Sequence, residues 1–96
     1  MNKYEVIFIV RPDLEEANIK AVADSMKDLL ESKGAKVVEE NAWGQKELAY
    51  EIKKHKTGYY FYFVVEAENN EATKEFDRVA LINEDIIRHL VVRVDK

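Results

Sequence analysis

Trp43-Gly44-Gln45-Lys46-Glu47-Leu48-Ala49-Tyr50-Glu51-Ile52-Lys53 lies mid-chain, with a strand-and-helix pattern on each side of it. Leu48, Tyr50 and Ile52 alternate with Ala49, Glu51 and Lys53, the period of a half-buried strand. Gly44 stands just upstream, and a glycine inside a strand pattern marks a bulge. Parity points the same way. Val37 is odd-numbered, whereas Leu48, Tyr50 and Ile52 are even. If both sets face one core, a single extra residue must sit between them, because a one-residue shift turns every side chain over. The expectation is one long bulged strand over residues 35–53. Two short strands joined by a loop at Gly44 are the plainer alternative.

The rest of the chain frames this strand. Lys3 to Val10 is an apolar run broken only by Glu5, suited to a strand buried on both faces. Tyr4, Val6, Phe8 and Val10 share one face, Ile7 and Ile9 the other. Arg11-Pro12 ends it, since proline cannot donate to the ladder. Asp13 with Glu16 has the spacing of a capping box. Ile19, Val22, Ala23, Met26, Leu29 and Leu30 then recur at helical spacing, predicting a helix over residues 14–33 closed by Gly34. The methionine in that stripe reads as core filling. Lys54-His55-Lys56-Thr57 is expected to be a turn, and Gly58 to open a strand through Tyr59-Tyr60-Phe61-Tyr62-Phe63-Val64-Val65. Phe61, Phe63 and Val65 share one of its faces, Tyr60, Tyr62 and Val64 the other. Asn69 or Asn70 caps a second helix with Ala72, Phe76, Val79 and Ala80 inward, and Asn83 stops it in a left-handed conformation. Residues 86–94 form the last strand.

The order is strand-helix-strand twice, with a hairpin in the middle. Right-handed crossovers then give an α+β, ferredoxin-like βαββαβ fold: a four-stranded antiparallel sheet with two helices packed on one face. Ninety-six residues make one domain, 1–96, and no linker interrupts it. The expected core is Val6, Phe8, Met26, Leu30, Val37, Phe61, Phe63, Val65, Phe76 and Val91.

The uncovered face of such a sheet is usually polar. Here Ile7, Ile9, Tyr60, Tyr62 and Val64 fall on it, with one of the two apolar sets of the last strand whichever way that strand is turned. Scattered exposed apolar residues are ordinary, but a patch shared by three strands reads as an interface with a protein partner.

Composition narrows the chemistry. There is no cysteine, hence no disulfide, thiolate nucleophile or cysteine metal site. No apolar run approaches the roughly 18 residues of a membrane helix, and the start has no signal-peptide anatomy, so the expected location is cytoplasmic. His55 and His89 have no partner at ligand or triad spacing. The three glycines are isolated, so none builds a phosphate-cradling loop. An acylphosphatase-like hydrolase would need a loop of backbone donors beside Arg11, where Pro12 and a helix cap stand instead. Neither an enzyme, a cofactor, a metal nor a small-molecule substrate is implied.

Nineteen acidic against fifteen basic residues give a net charge of −4, which counts against a self-sufficient nucleic-acid binder. The charge is uneven, however. The two helical stretches hold eight of the nineteen carboxylates, while Lys53-Lys54-His55-Lys56 cluster at the hairpin end and Lys46, Arg88 and Arg93 lie on strands. Such a cluster can grip phosphates, although a charge run at a turn is more often only solvated. The aromatics from Tyr59 to Phe63 weakly resemble the base-stacking strand of RNA-recognition motifs, without the small residue between them.

The run from Gly44 to Lys53 resembles the signature of the bacterial small-subunit ribosomal protein six family: glycine, any residue, a basic residue, a polar residue, leucine, a small residue, tyrosine, any residue, isoleucine. Every constrained position is matched. Tyr4-Glu5-Val6 with Pro12, and the run from Asn83 to Val92, are also similar, and the segments come in the family's order. The resemblance implies a structural constituent of the small ribosomal subunit with a ferredoxin-like fold. It further implies binding to the central domain of 16S ribosomal RNA together with the small, basic small-subunit protein eighteen. On that reading the RNA-contacting residues are Lys3, Lys46, Lys53, Lys54, Lys56, Arg88 and Arg93. Only Lys46, Arg88 and Arg93 lie in matching segments. The alternative is a free-standing ferredoxin-like module that uses its sheet face for RNA binding or ligand sensing.

Overall fold

The computed structural model describes residues 2–94; Met1, Asp95 and Lys96, the ends of the expected domain, lie outside them. The elements are β1 (Asn2–Val10), α1 (Glu16–Ser32), β2 (Lys36–Ile52), β3 (His55–Ala67), α2 (Glu71–Ile82) and β4 (Ile86–Arg93). All pairings are antiparallel, in the order β2-β3-β1-β4. This is the expected ferredoxin-like arrangement, with both helices on one face.

Alternation in the strands decides which side chains meet the helices. The even residues of β1, Tyr4 to Val10, and the odd residues of β3, Phe61 to Val65, point inward. They meet Ile19, Ala23, Met26 and Leu30 of α1 and Ala72, Phe76 and Ala80 of α2. Phe8 is the centre: its ring lies 5.3 Å from Phe61, 5.4 Å from Phe63 and 5.9 Å from Phe76. Such ring pairs contribute about 0.5–1.5 kcal/mol each beyond simple burial. Eight of the ten expected core residues are buried; Val37 and Val91 are half-buried at the margin.

Element ends depart from expectation in physically readable ways. The Asp13–Glu16 capping box does not form. Arg11 draws the Asp13 carboxylate to 3.5 Å, and α1 starts behind Glu15 without a side-chain cap. Its C-terminus is a Schellman motif as Gly34 foretells. Gly34 (φ 93°) donates to the Glu31 carbonyl and Ala35 to the Leu30 carbonyl. Asn70 takes the N-cap position of α2 without a side-chain cap, while the Asn69 side chain accepts the Glu71 N–H. Asn83 is extended rather than left-handed, because its side chain instead accepts the Asp85 N–H in the turn to β4. The hairpin turn is Lys53-Lys54, with φ 49° and 69°, and not residues 54–57. Two successive positive-φ residues make the tight turn that matches strand twist, so β3 begins at His55.

The expected bulge at Gly44 in β2 is present, and two further register shifts accompany it. Ala42 pairs Phe61 while Gly44 pairs Tyr60, leaving Trp43 as the extra residue beside Gly44 (φ 84°). Val37 pairs Val65 while Glu39 pairs Val64, leaving Val38 as another. The first two one-residue shifts cancel in parity as far as Glu47, and a third follows between the Glu47–Thr57 and Ile52–His55 pairs. Leu48, Tyr50 and Ile52 do not share the core with Val37; they lie against Ile7, Ile9 and Tyr60, on the side of the sheet away from the helices.

Candidate functional site

The open face is built by Glu5, Ile7 and Ile9 of β1, Tyr60, Tyr62 and Val64 of β3, and Arg88, Leu90 and Val92 of β4, which the register places side by side. Beyond the Val10–Tyr59 pair the β2–β3 hairpin runs past the end of β1. Its β2 arm curls over the open face. Leu48, Tyr50 and Ile52 line one groove of about 270 Å³ with Ile7, Ile9, Tyr60 and Leu90. Arg88 closes the far side: its Nη1 donates to the Tyr50 hydroxyl, and its guanidinium lies 5.8 Å from the Tyr50 ring centroid. The arm of one edge strand is thus joined to the opposite edge strand, across the two strands between. Gly58 lets the β3 side of the hairpin pass close over the end of β1, since a Cβ there would collide with Ile9 Cγ2.

The other half of the face is aromatic and acidic. The bulge projects Trp43 onto Tyr62, with centroids 5.2 Å apart and planes 13° apart, and near Tyr60 at 6.4 Å. Lys46 Nζ sits 5.1 Å from the Trp43 ring, a cation–π contact. Tyr62 donates its hydroxyl to Glu5 Oε2 at 2.6 Å. That bond, with burial and the charges of Glu5 and Glu39, pushes the Tyr62 phenol up to about 12.

The five residues expected at a partner interface all lie on this face, but Ile9 and Val64 are each only 6% exposed and are already covered by the chain itself. The apolar residues that remain open are Trp43 (43%), Tyr50 (61%), Leu90 (53%) and Val92. Trp43 and Tyr50 escape a sequence reading because their orientation depends on the number of bulges. The Trp-Gly pair at the bulge was the available signal for Trp43. Of the seven cations expected to touch RNA, Lys46 and Arg88 lie on the open face, and Lys53 and Lys54 form the hairpin tip with Lys56 beside them. Lys3 stands further along β1, opposite Glu66. Arg93 is parted from the cluster. It pairs Tyr4, a core residue, and its Nη2 donates to Asn2 Oδ1 at 2.9 Å.

Catalytic groupings are absent among the described residues. No cluster of three or more metal-ligating side chains occurs there. Arg11, the one residue placed as in an acylphosphatase, has its Nε on Asp85 Oδ1 at 2.9 Å and its Nη1 near Asp13. His89 turns to the helix side, where Nε2 meets Asp77 Oδ1 at 2.7 Å and the ring stands edge-on to Phe76. None of the described helices is long and apolar enough to cross a membrane.

The family model for ribosomal protein S6 matches residues 3–93. The chain belongs to the ribosomal protein S6 family. It is also similar in fold to the crystal structure of 30S ribosomal protein S6 from Thermotoga maritima, with a TM-score of 0.92 and 24% identity over 97% of this chain and 87% of that one. As an S6-family protein it is a structural, non-catalytic constituent of the small ribosomal subunit, at work in translation in the cytoplasm.

Proposed function

We propose that this protein holds part of the small subunit together by binding the central domain of 16S ribosomal RNA jointly with the small-subunit protein eighteen. The observation that carries the reading is the division of the open face. Lys53, Lys54, Lys56 and Arg88 stand toward the hairpin end, whereas Glu5 and Glu39 stand at the other beside Tyr62 and Val64, with Lys46 between them over Trp43. A chain of net charge −4 has no long-range attraction for phosphate. A basic partner seated on Trp43, Tyr62, Leu90 and Val92 faces the carboxylates, covers the open apolar surface and reverses the sign of the pair. The hairpin cations then act as local grips, each adding about one unit to the salt dependence of RNA binding. Lys3 lies near the rim of that surface, while Arg93, turned to the helix side, contributes least. Of the remaining interface residues, Ile7 and Tyr60 lie toward the groove, and Ile9 and Val64 act by supporting the surface from beneath. Sucrose-gradient sedimentation of a cell lysate tests the assembly. Co-migration of the chain with small subunits supports the reading, and a purely free pool contradicts it.

A further inference from the structure

We propose that the groove between the β2 arm and β4 receives a single unpaired RNA base, stacked against Tyr50 with its phosphate held by Arg88 and the turn lysines. The inference rests on the RNA-binding reading above and adds a specificity to it. Three features of the groove agree. Its volume, about 270 Å³, lies just below the range of drug-sized pockets, so it suits one ring system and neither a helix nor a strand. Its floor is apolar, from Ile7, Ile9 and Leu90, and its walls carry the rings of Tyr50 and Tyr60. Every base has a flat face that stacks on such rings, whatever the sequence.

Charge selects the occupant. No carboxylate is among the groove's lining residues, and Arg88 is the cation on its rim. The guanidinium already lies over the Tyr50 ring and donates to its hydroxyl, so it is held in place to meet a phosphate. Lys53 and Lys54, locked in a tight turn immediately after Ile52, stand at the same end. Glu47 and Glu51 of the same arm line a separate depression with Lys56 and Thr57, and Glu5 and Glu39 lie beside Tyr62. A base that is paired in a helix cannot reach the groove. The site therefore selects bulged, looped or terminal nucleotides.

The test uses the full chain at low salt and three fluorescent RNA hairpins. One carries a single bulged nucleotide, one an abasic ribose at the same position, and one has no bulge. The bulged hairpin should bind about tenfold or more tighter than the abasic one, as loss of one base–aromatic stack requires. Tyr50→Phe should keep that preference. Tyr50→Ala and Leu90→Trp, which remove a wall and fill the groove, should each abolish it. Lys53→Ala with Lys54→Ala should weaken the bulged and abasic hairpins equally. Equal binding of those two hairpins by the unmodified protein would overturn the base site and leave the RNA-binding reading standing. Failure to bind any of the three, both alone and with the basic protein partner present, would overturn both. Retention of the preference in Leu90→Trp would overturn the assignment to this groove, which would then be open to an apolar side chain of the protein partner.

Discussion

Replacing Gly58 by alanine probes the feature that lets β3 pass close over the end of β1. The added Cβ would stand 2.3 Å from Ile9 Cγ2, with the Val10 carbonyl oxygen at 3.4 Å and Ile87 Cδ1 at 3.5 Å. Carbon atoms in ordinary contact are about 3.5–4.0 Å apart, so more than about 1 Å must be opened. Ile9 Cγ2 is a branch at Cβ and cannot swing clear without turning χ1. The neighbouring atoms block a simple slide. Overpacking of this kind costs about 1–3 kcal/mol. Alanine also restricts the unfolded chain, which offsets about 0.4–1 kcal/mol. A net loss near 1.5 kcal/mol follows, or about 6–12 °C in Tm for a domain of this size. Urea titration measures it. A cycle with Ile9→Ala, which removes the clashing methyl, should leave the double variant at least about 0.5 kcal/mol more stable than the sum of the single losses. Gly58→Ala with unchanged stability would refute the close packing of β3 on the end of β1.

Leu30→Ala, at a fully buried position, should cost about 2–5 kcal/mol in the same titration; a loss under about 1 kcal/mol would mean α1 packs in another register. Gly44→Val should destabilise by about 1–3 kcal/mol through backbone strain alone, because φ is 84° but no atom lies within 4 Å of the new Cβ. A melt matching the parent's would exclude the positive φ. The Tyr62 phenol, raised from 10.0 to about 12 first by its hydrogen bond to Glu5, favours the protonated form in the folded state. Its contribution to stability is whole below about pH 10 and is lost as pH rises through about 12. Tyrosinate absorbance should show one late-titrating phenol that Tyr62→Phe removes.

Much of the fold was legible because periodicity is a local property. The even residues of β1, the odd residues of β3 and the stripe from Ile19 to Leu30 each name their inward face without help from elsewhere. Orientation along β2 was not legible past Val37, because it depends on how many extra residues the strand absorbs. Gly44 advertises its bulge by its missing side chain. The bulge at Val38 and the shift between Glu47 and Ile52 have no such residue, and they help set Leu48, Tyr50 and Ile52 on the open face instead of in the core. That reversal hid the groove and the Tyr50–Arg88 contact. The capping box failed for a related reason: spacing proposes Asp13 as a cap, but Arg11 competes for its carboxylate from outside the helix. Among the cations, adjacency in sequence keeps Lys53, Lys54 and Lys56 together at the hairpin, whereas the place of Lys46 depends on the bulge at Trp43 and that of Arg93 on the register of β4 against β1.

The claim that this acidic chain reaches RNA through a basic partner is tested most directly by titrating labelled RNA of the 16S central domain at several salt concentrations. Each titration is run with the chain alone and with the small-subunit protein eighteen. Alone, the chain should bind weakly. With the partner, binding should be tight, and Lys53→Ala with Lys54→Ala should weaken it and flatten the salt slope by about two units. Tyr62→Ala with Trp43→Ala should lose the partner and, through it, the RNA. Tight, salt-sensitive binding by the isolated chain would contradict the account and mark a self-sufficient RNA-binding module.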